Sequence, residues 1–460
     1  MEHYVPEGHL LRRLQALLDW RWVRQQTADL YGYNGHVSVD PVVIFKVLLL
    51  GYLYNISSIR ELMRQIEDRI SFRWFIGYDI DEKIPDHSVI SKARRRFGAQ
   101  MFAQFFDQTV RLCYEAGLVD AQLVHVDSTT VEADASLKSV QDTRPGDGFH
   151  PHLAPQAYWE ALEAEEPLLV NQRKRSSSDP EAGIISRPNS KLLTLCYSDH
   201  RVIDDHRGVI LVTQATPGHV TDNLQLPALL DELIFHQGII PQALAADHKY
   251  GTLEIYKELE NKGIIAHLPR PRSGHCKGKF SKGVFTYLPD EDRYLCPAGE
   301  RLKPASSSKA SSRRYRAAPE TCSGCALREQ CAAGKSSRTI KRYPHEEYYE
   351  AAIQNRDATR YTQARKRRLA VAESSFSHAK RRHAHGRARW RGLLSMQIQC
   401  YLVAAVQNLK KLLKYGCQPS LKVAQLGTAG MVNWLLKADL YDLMLWLPIQ
   451  RLPNKAEITV

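Results

Sequence analysis

Three carboxylates stand where a sheet and a helix could bring them together. Asp127 follows the apolar, β-prone run Leu123-Val124-His125-Val126, Asp247 follows Ala243-Leu244-Ala245-Ala246, and Glu373 lies in a helix-patterned segment close to Phe376. Functional groups of an α/β sheet collect at the carboxyl ends of its strands, so two aspartates ending neighbouring strands come to lie side by side. A third carboxylate from a helix would complete an all-oxygen cage for a hard cation such as Mg²⁺ or Mn²⁺. Two such ions, about 4 Å apart, activate an attacking hydroxyl and stabilise the leaving oxygen of a phosphodiester. Each residue alone has a plainer reading, the aspartates as turn or helix caps and Glu373 as an ion-pair partner within its helix. Glu373 and Lys380 lie seven residues apart, two turns along one helix face, and both a metal-ligand and a structural role fit that spacing.

A second set of residues has metal-ligand character. Four of the nine cysteines crowd into one stretch as Cys296, Cys322, Cys325 and Cys331, a C-x25-C-x2-C-x5-C spacing. A C-x2-C pair with two further thiolates makes a tetrahedral zinc site, which would fold an otherwise coreless, Ser-rich insertion; reduced thiols without a metal are the plain reading. Cys113, Cys196, Cys276, Cys400 and Cys417 read as packing residues. His378, His383 and His385 read as phosphate contacts or surface residues, and His150 and His152 as loop residues. Trp159 and Trp390 could stack on flat aromatic ligands such as unstacked nucleobases, although a packed Trp is the commoner case.

These groups need a scaffold. Residues 1 to about 115 read as helical, with apolar residues recurring at helical spacing (Leu10-Leu11-Leu14-Leu17, Val43-Val47-Leu48, Ile59-Leu62-Met63-Ile66) and a capped helix start at Pro85-Asp86-His87-Ser88. Strand signals begin after Ala121. Two β-prone runs, 191–203 and 209–213, flank Asp204-Asp205-His206-Arg207-Gly208 as a hairpin, and 264–268 reads as a further strand. The polar stretches 141–189 and 269–343 read as insertions. Helical character returns near Glu346 and ends in a long apolar-striped helix, 393–413.

The charge distribution says what such a scaffold faces. The 460 residues carry a formal net charge of +13. Residues 361–391 hold ten Lys/Arg against a single acid, Glu373, and residues 268–319 hold twelve against four. The two windows therefore exceed the whole chain's surplus, and the remainder is slightly acidic. Local surpluses of this size face polyanions. The composition, 43% hydrophobic and 25% charged, excludes a disordered chain, a collagen and a disulfide-stapled mini-protein. The most apolar run, 42–54, is too short to span a bilayer, no signal core follows the N-terminus, and a cytoplasmic, nucleoid-associated location is expected.

The carboxylate-bearing texts resemble a family. His125-Val126-Asp127-Ser128-Thr129-Thr130, Ala245-Ala246-Asp247-His248-Lys249-Tyr250-Gly251-Thr252 and Glu373-Ser374-Ser375-Phe376-Ser377-His378-Ala379-Lys380 are similar to the three catalytic blocks of bacterial insertion-sequence transposases of the DDE type. The texts 385–392 and Gln407-Asn408-Leu409-Lys410 add to the likeness, and Pro85-Asp86-His87-Ser88 resembles the family's N-terminal helical domain. The resemblance runs from about residue 40 to 415. Many relatives have Gly where Lys249 and Ser377 stand here.

The resemblance implies an α/β chain with a ribonuclease-H-like mixed sheet flanked by helices. A helical domain (1–115) for DNA binding or assembly would precede a split catalytic core (116–268 and 344–415) that is interrupted at 141–189 and by the basic, Cys-containing insertion 269–343. A tail, 416–460, would follow. It implies that Asp127, Asp247 and Glu373 bind two Mg²⁺ or Mn²⁺ ions for hydrolysis and strand transfer at terminal inverted repeats. Double-stranded DNA would be gripped by Lys249, Tyr250, Arg365, Arg367, Arg368, Lys380, Arg381, Arg387, Arg389 and Arg391, with Arg94 and Arg95 from the N-terminal domain. A homo-dimer or larger assembly is expected. A catalytically silent DNA-binding protein and a non-specific nuclease are the rival readings.

Overall fold

In the computed structural model, the described residues are 1–31, 38–142, 171, 174–186, 193–269, 280–305, 312–332 and 336–416. His150, His152, Trp159, Cys276 and Cys417 lie outside them.

The N-terminal region is helical, as its periodicity predicts. Asp40 caps the helix Pro41–Leu53, its side chain accepting from Val42 N at 2.8 Å, and Pro41 occupies the first turn, where a missing N–H costs nothing. Every residue of this helix after Pro41 is buried. Even Lys46 lies inside, its ammonium 5.4 and 5.2 Å from the centroids of Trp20 and Phe75, and burial lowers its pKa to about 8. Asp86 caps the helix His87–Glu115 through Ser88 N. That helix is broken at Gly98, whose φ of 70° is open to glycine. The helix Leu393–Tyr415 packs between it and the central sheet.

The sheet is built from β1 (Leu123–Glu132), β4 (Gly183–Ser186), β5 (Leu193–Asp204), β6 (Ile210–Pro217), β7 (Ala243–Ala246) and β8 (Ile265–His267). The short strands β2 (Val140–Asp142) and β3 (Lys174–Ser176) pair with each other. The order across the sheet is β6-β5-β1-β7-β8, with β4 also on β5. β5 runs antiparallel to β1 and β6, while β1, β7 and β8 are parallel. The expected hairpin is β5–β6, turning through Gly208 at a φ of 68°.

Two expectations need correction. Asp127 does not end its strand: β1 continues to Glu132 along β5, and only the parallel pairing with β7 stops, at Val126 opposite Ala246. The periodicity of one strand cannot reveal where a neighbour ends. The insertion 269–343 is not coreless either. It contains β9 (Thr286–Leu288), β10 (Arg293–Leu295), β11 (Arg301–Pro304), β12 (Arg313–Arg316) and β13 (Thr339–Arg342) in an antiparallel sheet, β13-β12-β11-β10-β9. Its inner face buries Phe285, Tyr294, Leu302, Tyr315 and Ile340. The strands are three or four residues long, and four of the five carry basic residues beside one or two apolar ones, too short a pattern for alternation to stand out from a polar loop.

Candidate active site

Asp127, Asp247 and Glu373 line one depression, together with Ser128, Thr129, Arg368, Phe376, Ser377 and Lys380. Three elements deliver the carboxylates. Asp127 projects from β1 just past the end of its pairing with β7. Asp247 follows β7 directly and caps the turn His248–Tyr250, accepting from Lys249 N at 2.8 Å. Glu373 comes from a helical run, 358–382, that contains a π-helical turn at Leu369–Glu373. Arg368 and Glu373 are five residues apart, which a regular α-helix would hold about 140° out of phase. The wider turn brings them closer in phase, and π-turns recur at functional sites for such reasons.

Arg368 links the set. Its Nη1 lies 2.9 Å from Asp127 Oδ2 and its Nη2 lies 3.9 Å from Glu373 Oε1. Asp127 is raised to about 6 by burial; Arg368 opposes the shift, whereas Asp247 and Asp222 add to it. The site thus crowds anionic oxygens around a cation, the donor set and charge balance a hard divalent ion requires. The three carboxylates are not drawn within 4.8 Å of one another.

A fourth carboxylate, absent from the sequence reading, braces this site. Asp222 opens the helix Asp222–Asp231 and is nearly buried. It accepts from Ser128 Oγ at 2.5 Å and from Lys249 Nζ at 2.7 Å. Those residues stand one and two places after Asp127 and Asp247, so Asp222 ties the two aspartate-bearing segments together. The side chain of His200 lies behind it, with Nδ1 at 3.7 Å. Thr221-Asp222 before an apolar run reads as a helix cap, and only the sheet's pairing brings it here.

Beneath the helix that carries Glu373 lies a fully buried polar network. Arg201, opposite Asp127 in the β1–β5 register, donates to Asp199 Oδ2 at 2.9 Å, to Ser375 Oγ at 3.0 Å and to Gln407 Oε1 at 2.8 Å. Gln407 donates in turn to Ser375 O. Ser375 is two residues past Glu373, so the clamp fixes that carboxylate's helix against β5. Burial alone would raise the Asp199 carboxyl, yet Arg201 and His385 hold it well below the usual range. Asp199, His385 and Cys400 are the one compact group of metal-type donors among the described residues. Asp199 already accepts from Arg201, Thr213 and His385, so the guanidinium takes the place a cation would fill.

The basic residues divide. Arg365, Lys366, Lys380, Arg381 and Arg382 are exposed along the helical run, as are Lys249 and Arg95. Arg367 binds Asp205 at 2.6 Å, and Arg387 and Arg391 reach Asp134 at 3.1 and 3.6 Å. Three residues expected on DNA face inward. Tyr250 is fully buried, Arg94 is buried with its guanidinium 3.9 Å over Trp390, and Arg389 stacks 3.6 Å over Tyr52 while donating to Gly51 O. His383 and His385 are buried as well, not on the surface, and burial lowers His383 to about 3. A basic run shows only charge; which members point inward depends on helix phase and on partners hundreds of residues away. The four clustered cysteines line one cavity in the β9–β13 module, and Cys113, Cys196 and Cys400 are buried, as packing residues are.

Comparison with known proteins gives two family matches. Residues 1–96 match the family described as Transposase domain (DUF772), and residues 295–413 match the family described as Transposase DDE domain. The second match contains Glu373 and the helical run 358–382 that carries it, whereas Asp127 and Asp247 lie between the two matched segments. No curated protein matches the chain. The central sheet, with an antiparallel hairpin beside three parallel strands, is the ribonuclease-H-like arrangement that a DDE domain implies.

Proposed function

With its two matched domains marking the chain as an insertion-sequence transposase of the DDE type, we propose that it binds the terminal inverted repeats of its element, hydrolyses phosphodiesters at the ends and joins the 3′-hydroxyls to target DNA. The observation that carries this reading is the convergence of Asp127, Asp247 and Glu373 on one depression beside an exposed basic helix. Bound there, Mg²⁺ or Mn²⁺ supplies activation of a water or 3′-hydroxyl and neutralises charge on the scissile phosphate. The protein's own part is positional. Asp222 holds Ser128 and Lys249, and with them the backbone on which Asp127 and Asp247 sit. The Arg201 clamp holds the helix of Glu373. Arg365, Lys366, Lys380, Arg381 and Arg382 offer phosphate contacts along one helical run, and Lys249 adds another at the rim. Synapsis of two ends calls for at least two copies of the chain.

The test is strand transfer with labelled inverted-repeat ends in Mg²⁺ and in Mn²⁺. Asp127→Asn, Asp247→Asn and Glu373→Gln should each abolish cleavage while leaving end binding in a gel-shift assay intact. Wild-type cleavage by any folded variant removes that residue from the triad. Wild-type binding of ends with no product in either metal identifies a silent DNA-binding protein, and cutting of DNA that lacks repeats identifies a non-specific nuclease.

A further inference from the structure

The β9–β13 module poses a stability problem of its own. Its inner face buries six side chains, three of them tyrosine or leucine on central strands and one only an alanine. Small units of this kind need a staple beyond their apolar core. The connection between β12 and β13 is the weak part: among its described residues the regular structure is two helices of five and four residues, Pro319–Ser323 and Arg328–Cys331. Isolated helices of that length do not hold in water.

All four cysteines lie where a staple would act. Cys296 directly follows β10 and opens the tight turn to β11, in which Cys296 N donates to Glu300 O at 2.8 Å and Gly299 adopts a φ of 82°. Cys322 lies in the first short helix, Cys325 just after it, and Cys331 ends the second. Their side chains line one cavity of about 30 Å³. Cys296 Sγ accepts a backbone hydrogen bond from Glu300 N at 3.3 Å, the support that an anionic sulfur takes and a neutral thiol uses weakly. The cysteines are unpaired, which leaves their sulfurs available as ligands.

We propose that Cys296, Cys322, Cys325 and Cys331 bind one structural Zn²⁺ that fastens the β10–β11 turn to the β12–β13 connection. Four thiolates form a closed tetrahedral set with no position left for water, so the ion's role is to fold the module. An iron–sulfur cluster is the other cofactor that four cysteines hold, and elemental analysis separates the two. No three of the sulfurs lie within 4.8 Å of one another, against about 3.8 Å between sulfurs in a tetrahedral Zn–S₄ site; the thiols therefore close inward on the ion as it binds. This site is separate from the carboxylate depression and uses soft ligands where that one uses hard oxygens.

The experiment is elemental analysis of the full-length protein purified without chelator and dialysed against Mg²⁺. Zinc near one per chain is expected, unchanged in Asp127→Asn and lost in the Cys322→Ser/Cys325→Ser double variant. To separate metal loss from unfolding of that variant, wild-type protein is also titrated with a mercurial: one zinc should be released as four thiols react. Cobalt grown into the protein should show the intense visible bands of a tetrahedral thiolate site. Zinc far below one per chain, zinc retained by the double variant, or release that does not track thiol loss overturns the proposal. Iron with a broad visible absorption overturns it in favour of a cluster.

Discussion

Arg368 holds the position at which a residue-scale account of this site becomes testable. Its guanidinium lies 2.9 Å from Asp127 and 3.9 Å from Glu373, so a divalent ion entering between these carboxylates competes with a cation already present. Two unit charges at such distances interact by about 4 kcal/mol at an effective dielectric constant of 20. Arg368→Ala should therefore tighten Ca²⁺ binding, measured by calorimetry without DNA, by roughly tenfold or more; unchanged affinity rules out the competition. Protonation acts the other way. Burial raises Asp127 to about 6, so its carboxyl increasingly carries a proton as pH falls through that value, and ion binding should weaken over the same range. Asp222 touches the site only through Ser128 and Lys249. Asp222→Ala should lower metal affinity and strand transfer by about 10- to 100-fold, the usual effect of losing a supporting group around a ligand set, and Asp222→Asn should recover part of it. Equal loss in both variants with intact metal affinity would point to folding alone. The three carboxylates were legible in the sequence because each sits in a distinctive local text. Asp222 and Arg368 were not, since one reads as a cap and the other as one more member of a basic run.

At the scale of elements, the buried clamp sets how the helix of Glu373 meets the sheet. Breaking a fully buried ion pair from one side leaves an uncompensated charge and costs about 3–5 kcal/mol. Arg201→Met should lower stability by that much in chemical denaturation, and adding Asp199→Asn should restore a good part of it. If the double variant is as unstable as the sum of the singles, the pair is not acting as a unit. Helices and the β5–β6 hairpin were readable from periodicity, because each element's own residues record which face is buried. Register was not. That Asp127 stands opposite Arg201, and that β7 stops four residues into β1, depends on pairing between segments some 75 to 120 residues apart. The β9–β13 sheet was missed for a related reason: three-residue strands carry too few apolar positions for alternation to be visible, and their partners complete the pattern.

Across the whole molecule, the structure reduces the apparent DNA grip. Of the ten Lys/Arg in 361–391, Arg367, Arg368, Arg387, Arg389 and Arg391 are engaged by acidic or internal groups, while Arg365, Lys366, Lys380, Arg381 and Arg382 are exposed along the helical run. Each phosphate neutralised contributes about −0.9 to the slope of log K against log salt. Arg365→Ala should thus make that slope shallower by about one with little change in melting temperature. Arg389→Ala should leave the slope unchanged and lower the melting temperature, since its guanidinium packs on Tyr52 and Gly51. Reversal of those two outcomes would mean that Arg389 swings out to meet DNA.

The unequal lengths of β1 and β7 have a consequence for how this site could change. β1 runs ten residues and β7 four, so the six residues from Asp127 to Glu132 form an overhang of about 20 Å at the usual rise per residue. The far end of that overhang is closed by a parallel bridge between Glu132 and Arg387, with Glu132 N donating to Gly386 O and Ala388 N to Glu132 O, so the notch is the stretch of β1 between the end of β7 and that bridge. Extending β7 by two or three β-prone residues would zip hydrogen bonds into the gap and carry Asp247 up along Asp127's strand. The chain would gain sheet and lose its opening to a DNA backbone.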